Sequence, residues 1–367
     1  MRIHFTRFPL ESAHGGAENQ TMWLAAGLRE RGHTVSFLGS CPVLRQTFAA
    51  SGFPVTPFEI GAPPVTKFGA VCFLWRRSAM FQKLKAAYES LPELPDAVCM
   101  LSLSEKILLT DWLSSRGVNV VWIEHDRVGR WLTGSPWLSS LKAAAKHATI
   151  VCVSELSRQK YLDLGFDSTR IIAIPNGIPM PETPNVERAA AATLMVGSVA
   201  RLSPEKGLDV LIAAVAGLPE ATLRIVGKGP QEGFLRSLIA EDTARIGIPR
   251  ITLQSSVPDL NLFYASLDVF VLASADHDPF GLTAAEAMAR GIPTIVTDEC
   301  GIASSLTDGQ DALCVEAGSA ESLAAAIRKL RDPAFRKRLS EAAEKTARTC
   351  FGLARMTTAY EALLSRH

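Results

Sequence analysis

Short apolar runs alternate with amphipathic stretches along the whole chain. Continuous apolar runs separated by segments of helical length are typical of parallel strands that helices bury on both faces. The runs fall into two sets, RIHFTRF, TVSFLG, DAVCML, VNVVWIEH and ATIVCVS, then TLMVGSVAR, TLRIVG, ITLQSSV, DVFVLAS, TIVTD and ALCVE. The pattern therefore predicts an α/β protein with two doubly wound, Rossmann-like parallel-sheet domains.

Between the two sets lies a proline-rich stretch, IPNGIPMPETP at residues 174–184, which includes an Asn-Gly turn. Such a composition is typical of an interdomain linker. We expect an N-terminal domain over residues 1–178 and a C-terminal domain over residues 179–350. Within residues 351–367 we expect a helix that packs back toward the N-terminal domain. Its apolar face would comprise Met356, Tyr360, Leu363 and Leu364.

Composition sets further limits on the class of protein. A length of 367 residues exceeds one ordinary hydrophobic core, and 47% hydrophobic with 20% charged residues excludes a disordered chain. The net charge of +1 gives nucleic-acid binding no support. Seven cysteines without CxxC spacing argue against a disulfide framework or a zinc knuckle. With no secretory apolar segment at the start, we expect a cytoplasmic protein, at most peripheral on the inner face of a membrane.

The first candidate site is HGGAENQ, which follows the first predicted strand and opens a helix. Gly15 and Gly16 let the backbone approach a ligand closely, and the free N–H groups of a helix N-terminus attract anions. A flexible turn is the alternative interpretation. The spacing is not G-x-G-x-x-G, so a dinucleotide site has little support.

Two cations and a histidine follow other predicted strands. In SVARLSPEKGLDVLI, Arg201 and Lys206 precede a helix expected to begin near Gly207. A guanidinium fork and an ammonium group suit the oxygens of a diphosphate, although a solvated loop would also tolerate both. In VVWIEHDRVG, His125 would orient a hydroxyl or carbonyl of a ligand, or would serve a structural role. No second ligand cluster accompanies its neighbouring carboxylates, so a metal site is not indicated.

Two carboxylates flank the turn in ADHDPFGLTAAEAMARG, residues 275–291. Pro279 suits the first helical position, which predicts Asp278 as the helix N-cap. Glu286 lies among alanines in an apolar helix, so we expect it to be buried against a hydrogen-bonding ligand or side chain. In one continuous helix the two would be roughly 12 Å apart, too far for a glycosidase pair. The helix would instead bracket an elongated anionic ligand such as a nucleotide-sugar.

Taken in order, these motifs resemble the retaining GT-B glycosyltransferases of the family usually called GT4. The resemblance runs through HGGAE, RGHTVSFLG, CVSELSRQKY, IPNGI, GSVARLSPEKGLDVLIAAV, IVGKGP, VPDLNLFYASLDVFVLAS and DPFGLTAAEAMARGIP. It implies two domains facing a central cleft, and transfer of a sugar from a UDP- or GDP-linked donor to a glycan, lipid-linked or small-molecule acceptor. It also implies retention at the anomeric carbon on a same-face path. No cofactor or metal is expected, because two cations and a helix dipole already meet the diphosphate.

The resemblance also implies roles for individual residues. Arg201 and Lys206 correspond to the pair that holds the donor diphosphate and stabilises the leaving group. Glu286 corresponds to the carboxylate that binds the ribose hydroxyls, and His125 to a histidine near the donor sugar. The remaining donor contacts correspond to the glycine loop (Gly15, Gly16), the border of the nucleobase (Ser256, Val257) and the backbone of the turn (Phe280, Gly281, Leu282).

Two positions depart from the family's pattern. Asp278 stands where a glutamate usually begins the motif, so its contact with the donor sugar would shift, use a water or be lost. Asp276 and His277 in the preceding loop are further candidates for that role. Ser256 stands where glycine is common, which would alter base recognition. Two alternative functions stay open, a GT-B nucleotide-sugar 2-epimerase and a nucleotide-sugar-binding protein with weakened catalysis.

Residues 66–89 interleave basic and aromatic side chains, in an N-terminal half that carries 19 Lys and Arg against 14 Asp and Glu. The basic residues are Lys67, Arg76, Arg77, Lys83 and Lys85, and the aromatic ones are Phe68, Phe73, Trp75 and Phe81. An interfacial helix in weak contact with an anionic membrane surface would have this composition. Packing of the aromatic face on the core is the alternative interpretation.

Overall fold

The protein is described here by a computed structural model over residues 1–10, 15–182 and 193–365. The chain forms two compact units, Met1–Gly177 together with Leu353–His367, and Ile178–Gly352. The histidine that opens HGGAE and the last two residues of the proline-rich stretch lie outside the described residues.

The first unit is built on one parallel sheet. Its strands are β1 Arg2–Arg7, β2 Thr34–Gly39, β3 Val55–Pro57, β4 Ala97–Met100, β5 Asn119–Glu124, β6 Thr149–Cys152 and β7 Ile171–Ala173. Its helices are α1 Gly16–Glu30, α2 Pro42–Ala50, α3 Lys67–Glu89, α4 Leu103–Ser114, α5 Arg130–Thr133, α6 Leu138–Ala145 and α7 Glu155–Asp163. In the described part of this unit the seven strands lie in the order β3-β2-β1-β4-β5-β6-β7.

The second unit repeats the plan with a smaller sheet. Its strands are β8 Leu194–Val199, β9 Ala221–Val226, β10 Ile251–Gln254, β11 Val269–Leu272, β12 Thr294–Thr297 and β13 Leu313–Val315. Its helices are α8 Leu208–Ala216, α9 Glu232–Ile246, α10 Leu260–Ala265, α11 Leu282–Ala289, α12 Ala320–Lys329 and α13 Pro333–Cys350. Over the residues described for this unit, the order is β10-β9-β8-β11-β12-β13.

The last helix, α14 Leu353–Leu364, packs on the first sheet. The side chains predicted for its apolar face are all buried there, in a cluster that includes Ile3, Phe37 and Val121. At its polar edge, Glu361 accepts hydrogen bonds from Arg31 at 2.6 Å and pairs with His33 at 2.9 Å. The predicted amphipathic helix is confirmed.

The eleven strands predicted from the apolar runs are confirmed, and two further strands were missed. These are β3 and β7, which are three residues long and form the two edges of the first sheet. β3 has no fully buried residue and ends in a proline, and only Ile171 of β7 is fully buried. Edge strands of this kind depend on pairing with a neighbour and leave little pattern in the sequence.

Strand order decides where a ligand can approach each sheet. It reverses between β1 and β4 in the first unit, and between β8 and β11 in the second. In doubly wound sheets ligands bind outside the carboxyl ends of strands at such a reversal. The loops after β8 and β11 carry Arg201, Lys206 and the turn at Asp278, so these residues share one edge of the second sheet.

Candidate functional site

A lysine and an aspartate form the central contact at the strand ends of the second unit. Lys206 Nζ donates to Asp278 Oδ2 at 2.6 Å, and the two side chains are 18% and 8% exposed. Ser274 Oγ donates to the same oxygen at 3.1 Å, and Phe280 N donates to Oδ1 at 3.3 Å. An ammonium group has three donors. Lys206 therefore keeps donors for a ligand while Asp278 orients it.

The turn that carries Asp278 is fixed by its backbone. Asp278 N donates to Glu299 O at 2.8 Å, and Gly301 N donates to Asp278 O at 2.8 Å. The Phe280 ring is buried and meets Phe351 edge to face, with 5.5 Å between ring centroids. The turn is therefore a firm support. The Phe280 side chain is not available to a ligand, and its backbone already bonds Asp278 Oδ1 through N–H and Ile302 N through C=O.

Helix α11 begins later than the sequence predicts. The prediction of Asp278 as the N-cap is wrong, because Gly281 holds that position with φ of 101° and the helix starts at Leu282. Glycine takes such a positive φ readily, while Asp278 bonds the N–H two residues ahead. The separation of roughly 12 Å between Asp278 and Glu286, which assumed one continuous helix, therefore does not apply. Among the described residues, the N–H groups of Leu282 and Thr283 reach no acceptor, so the helix start offers free donors.

Glu286, in the second turn of α11, has a partner that sequence reasoning did not identify. Tyr264 Oη donates to Glu286 Oε2 at 2.8 Å. Burial raises the pKa of Glu286, and the Tyr264 hydrogen bond and the Arg290 charge oppose that rise. Arg290 lies over the Tyr264 ring, with 4.8 Å to its centroid, and donates to Asn261 Oδ1 at 2.6 Å. Within the described chain Glu286 Oε1 receives no hydrogen bond, so this oxygen is left for a ligand.

The second predicted cation is far more exposed than the first. The Arg201 side chain is 71% exposed, with Nη2 at 3.5 Å from Glu205 Oε1. Burial raises the pKa of Glu205, but the hydrogen bond from Ser203 and the charges of Arg201 and Lys206 outweigh it and leave the pKa lowered. A pair this exposed contributes little stability. Arg201 is therefore available to an incoming anion.

The loops after β8 and β11 approach each other closely at Gly207. Helix α8 begins directly after Gly207, as predicted. Gly207 has φ of 58°, and a side-chain carbon there would collide with the carbonyl of Ala273. Ala275 N also donates to Glu205 O at 2.9 Å. These contacts hold the loop of Lys206 against the loop of Asp278.

Ser256 and Val257 lie in the loop after β10, at the edge of the second sheet. Ser256 is exposed and Val257 is partly buried. Two steps across the sheet, at about 4.8 Å each, separate β10 from β8. A ligand that reached both loops would span roughly 10 Å.

In the first unit, His125 follows β5 and is partly buried. Burial, with the charges of Arg7 and Lys106, lowers its pKa to about 3. The imidazole is therefore neutral near pH 7, with one nitrogen that donates and one that accepts a hydrogen bond.

The charged groups around His125 form closed contacts. Lys106 Nζ donates to Glu124 Oε1 at 2.8 Å, and both side chains are 5% exposed. Tyr161 Oη donates to Glu124 Oε2 at 2.7 Å. Glu124 is thus bound on both oxygens inside the protein, which gives it a structural role.

The glycine loop leads into α1, with Gly15 as N-cap and Gly16 as first helical residue. Gly15 has φ of −154°, extended backbone that any residue adopts, so its backbone angles do not require glycine. Glu18 in the first turn pairs with Arg7 at 3.0 Å, and these side chains are 7% and 11% exposed. A carboxylate at a helix N-terminus is stabilised by the helix dipole.

Two features of the described residues concern metals and membranes. Across the residues that the structure describes, no three His, Cys, Asp or Glu side chains gather closely enough to hold a metal ion. In that same part of the chain, every helix is too short or too polar to cross a membrane.

Known families and structures match both units. The model of glycosyl transferases group 1 matches residues 180–346, and that of glycosyltransferase family 4 matches residues 14–180. The crystal structure of Anabaena Alr3699/HepE in complex with UDP superposes with a TM-score of 0.82 at 19% identity, covering 100% of both chains. Two parallel-sheet units of this kind define the GT-B class of glycosyltransferase folds. The chain belongs to glycosyltransferase family 4.

Curated relatives match part of their length. The lipopolysaccharide core biosynthesis glycosyltransferase LpsD of Rhizobium meliloti is 35% identical over 224 residues, which cover 59% of this chain and 64% of LpsD. The GDP-mannose-dependent alpha-(1-6)-phosphatidylinositol dimannoside mannosyltransferase of Mycobacterium tuberculosis is 27% identical over 260 residues, 64% of this chain and 65% of the relative. The chain thus spans just under two thirds of these relatives.

Proposed function

We propose that the protein transfers a sugar from a nucleotide-diphosphate-sugar to a glycan, lipid-linked or small-molecule acceptor, in the synthesis of an envelope glycolipid or polysaccharide. The observation that carries this proposal is the row of open binding groups along one edge of the second sheet. Lys206, the start of α11 and Glu286 each keep hydrogen-bonding capacity there. The relatives' names support a UDP- or GDP-linked donor, since HepE binds UDP and the mycobacterial relative is GDP-mannose-dependent.

The donor would lie along the carboxyl ends of the second sheet. Lys206, Arg201 and the free N–H groups at the start of α11 would hold the diphosphate. Glu286 Oε1 would accept from the ribose hydroxyls, and Val257 would border the nucleobase. The backbone of Phe280, Gly281 and Leu282 would meet sugar and phosphate.

The proposed chemistry keeps the configuration of the anomeric carbon. The bond from that carbon to the diphosphate oxygen breaks while the acceptor hydroxyl attacks on the same face, and the acceptor proton passes to the leaving diphosphate oxygen. Arg201, Lys206 and the helix dipole stabilise the charge that grows on the diphosphate, so the proposal needs no metal. The roles of His125, Gly15 and Gly16 in this step stay predictions from the family resemblance.

Asp278 has a positioning role in this proposal. Its carboxylate orients Lys206 and the turn, and both its oxygens already accept hydrogen bonds. It would therefore act on the diphosphate through Lys206. This contrasts with a glutamate that reaches the sugar directly, and it makes Asp278→Glu an informative variant.

The test is a thermal-shift screen with UDP-glucose, UDP-galactose, GDP-mannose and ADP-glucose, with and without EDTA. A ligand at 100 times its Kd stabilises the folded state by about 2.7 kcal/mol. We expect one donor to raise Tm, EDTA to leave that rise unchanged, and Glu286→Gln to reduce it. If none of the four raises Tm, the donor-site assignment is wrong.

Incubation of the stabilising donor with and without an acceptor preparation separates the alternatives. Transfer of labelled sugar to acceptor, with the α or β configuration of the donor retained, supports the proposal. Formation of an epimer of the donor without acceptor would replace it with a 2-epimerase. An inert wild type in which Asp278→Glu creates turnover would indicate a binding protein.

A further inference from the structure

Helix α3 has apolar side chains on two opposite faces. Phe73, Met80 and Leu84 are buried in the core of the first unit. On the outside, the first two and a half turns form an exposed apolar patch, here called the α3 patch. Its members are Phe68 at 80% exposure, Val71 at 62%, Leu74 at 52% and Trp75 at 80%. Packing on the core is therefore confirmed for Phe73, and contact of the outward face with a membrane stays a prediction.

Helix geometry makes the patch a single stripe. At 100° per residue, Phe68, Val71 and Trp75 fall within about 60° of one another, and Leu74 lies at the side of that stripe. The stripe points away from the buried face. A contiguous exposed group that contains two large aromatic side chains is typical of an interaction surface.

The charge around the patch selects the kind of partner. From Ile60 to Tyr88 the chain has five basic residues and no acidic residue. Lys67 and Lys83 are exposed and lie on opposite sides of the stripe by the same helical geometry. Aromatic side chains between basic ones match an anionic lipid surface, where rings lie at headgroup level and ammonium groups face lipid phosphates.

The patch is preformed. Thr66 Oγ1 accepts a hydrogen bond from Gly69 N at 3.0 Å and caps the start of α3. Trp137 Nε1 donates to Ala70 O at 2.9 Å, and its ring packs on Phe73. The helix therefore needs no folding step on binding, which lowers the entropic cost of association.

We propose that the α3 patch docks the protein on an anionic lipid surface, with Phe68 and Trp75 inserted among the headgroups and Lys67 and Lys83 against the lipid phosphates. The inference adds a docking surface to the proposed function. It rests on that function in one respect only, because docking would help the enzyme if its acceptor is lipid-linked. Vesicle binding is measured without donor or acceptor, so a result against the docking surface is distinguishable from a result against the proposed sugar transfer.

The experiment is vesicle flotation of the full chain at low salt, on phosphatidylcholine alone and on equal parts of phosphatidylcholine and phosphatidylglycerol. We expect the wild type to float with the anionic vesicles and to be released by high salt. The double variant Phe68→Ser, Trp75→Ser should bind at least tenfold more weakly. Lys67→Gln, Lys83→Gln should lose roughly fivefold for each lysine removed.

The matched control removes two other exposed apolar side chains, from the second unit. Phe234→Ser, Leu262→Ser changes residues that are 51% and 70% exposed and should leave flotation unchanged. The Trp75 indole should move to a less polar site on binding, so anionic vesicles should shift the fluorescence of the wild type to the blue. Trp75→Phe should bind with much less of that shift.

Two results would overturn the proposal. One is wild-type protein that stays unbound to anionic vesicles at low salt. The other is equal binding by the wild type and the Phe68→Ser, Trp75→Ser variant. Sedimentation velocity tests a second copy of the chain as occupant of the patch. A dimer that this variant dissociates would assign the patch to self-association.

Discussion

The strand ends of the two units hold their charged side chains in different ways. In the second unit Lys206 is 18% exposed and Arg201 is 71% exposed, and each contacts one carboxylate. In the first unit Lys106 and Glu124 are both 5% exposed, and Tyr161 takes the remaining oxygen of Glu124. Residues of similar types thus stand at the same edge of two similar sheets, but the pair in the first unit is almost fully buried, whereas Lys206 and Arg201 are more exposed to an incoming ligand.

That difference assigns the two sets to different tasks. Closed, mutually satisfied charges stabilise a fold only as long as every partner is present. Open charges have less effect on the fold and are free to bind an anion. This difference supports the proposal that the donor diphosphate binds to the second unit, while the Lys106 contacts are part of the scaffold that surrounds a neutral His125.

The largest expected effect is on the closed contact of the first unit. Lys106→Met leaves Glu124 buried without its cation, and should lower the free energy of unfolding by about 3–5 kcal/mol. Urea unfolding measures this. The double variant Lys106→Met, Glu124→Gln removes both charges and should recover much of the loss. A loss below about 1 kcal/mol in the single variant would mean that water reaches the pair, and would erase the contrast between the units.

The next effect is on the open contact of the second unit. Lys206→Met removes a cation from the leaving diphosphate and should lower kcat/KM for the donor about 10² to 10³ fold. Its control is Lys206→Met, Asp278→Asn, which also removes the carboxylate left without its cation. We expect this control to unfold at a Tm near that of the wild type and to stay as inactive as the single variant. Recovery of activity along with stability would show that Lys206 acts only on the fold.

Much of the architecture could be predicted from the sequence, because burial on both faces of a strand leaves a local pattern. All strands with a full apolar run were predictable, whereas β3 and β7 exist through pairing at sheet edges. The position of Asp278 after β11 was also predictable, but its partners were not. Lys206 is 72 residues away from Asp278, and no local pattern reports that contact.

The start of α11 shows where a local rule failed. Pro279 after an aspartate fits a helix N-terminus, yet Gly281 is the N-cap and the helix begins at Leu282. The Asp278 carboxylate instead accepts hydrogen bonds from Lys206, which is distant in the sequence, and from the N–H of Phe280. Tyr264 was missed for a similar reason, since a tyrosine 22 residues before Glu286 carries no signal of a buried hydrogen bond.

A smaller effect is expected at Glu286 in the second unit, because one of its carboxylate oxygens already accepts a hydrogen bond from Tyr264. Tyr264→Phe removes the hydroxyl that donates a hydrogen bond to Glu286 Oε2, and should weaken binding of the nucleotide-sugar roughly fivefold to tenfold. The reason is that a hydrogen bond to a charged group contributes about 1.5 kcal/mol or less at a partly exposed site. The same change should raise the pKa of Glu286 further, since that hydrogen bond now opposes the effect of burial. Donor affinity of the variant should therefore fall more steeply below neutral pH than that of the wild type. Equal pH dependence in both would mean that Tyr264 does not orient Glu286.

The last effect concerns stability toward acid pH and the neutral histidine of the first unit. The pKa of His125 is about 3 in the folded chain, against an ordinary value of 6.5. As pH falls below about 6.5, His125 binds a proton in the unfolded chain but not in the folded chain. His125 therefore lowers the free energy of unfolding toward acid pH. His125→Gln carries no such proton, and should lose less stability than the wild type between about pH 7 and pH 5 in urea unfolding. The pKa of His4 is lowered to about 4, so His4 also reduces stability toward acid pH. Its contribution is the same in both proteins, and the difference between them isolates His125. Equal losses would show that His125 is protonated in the folded chain despite its burial and the charges of Arg7 and Lys106.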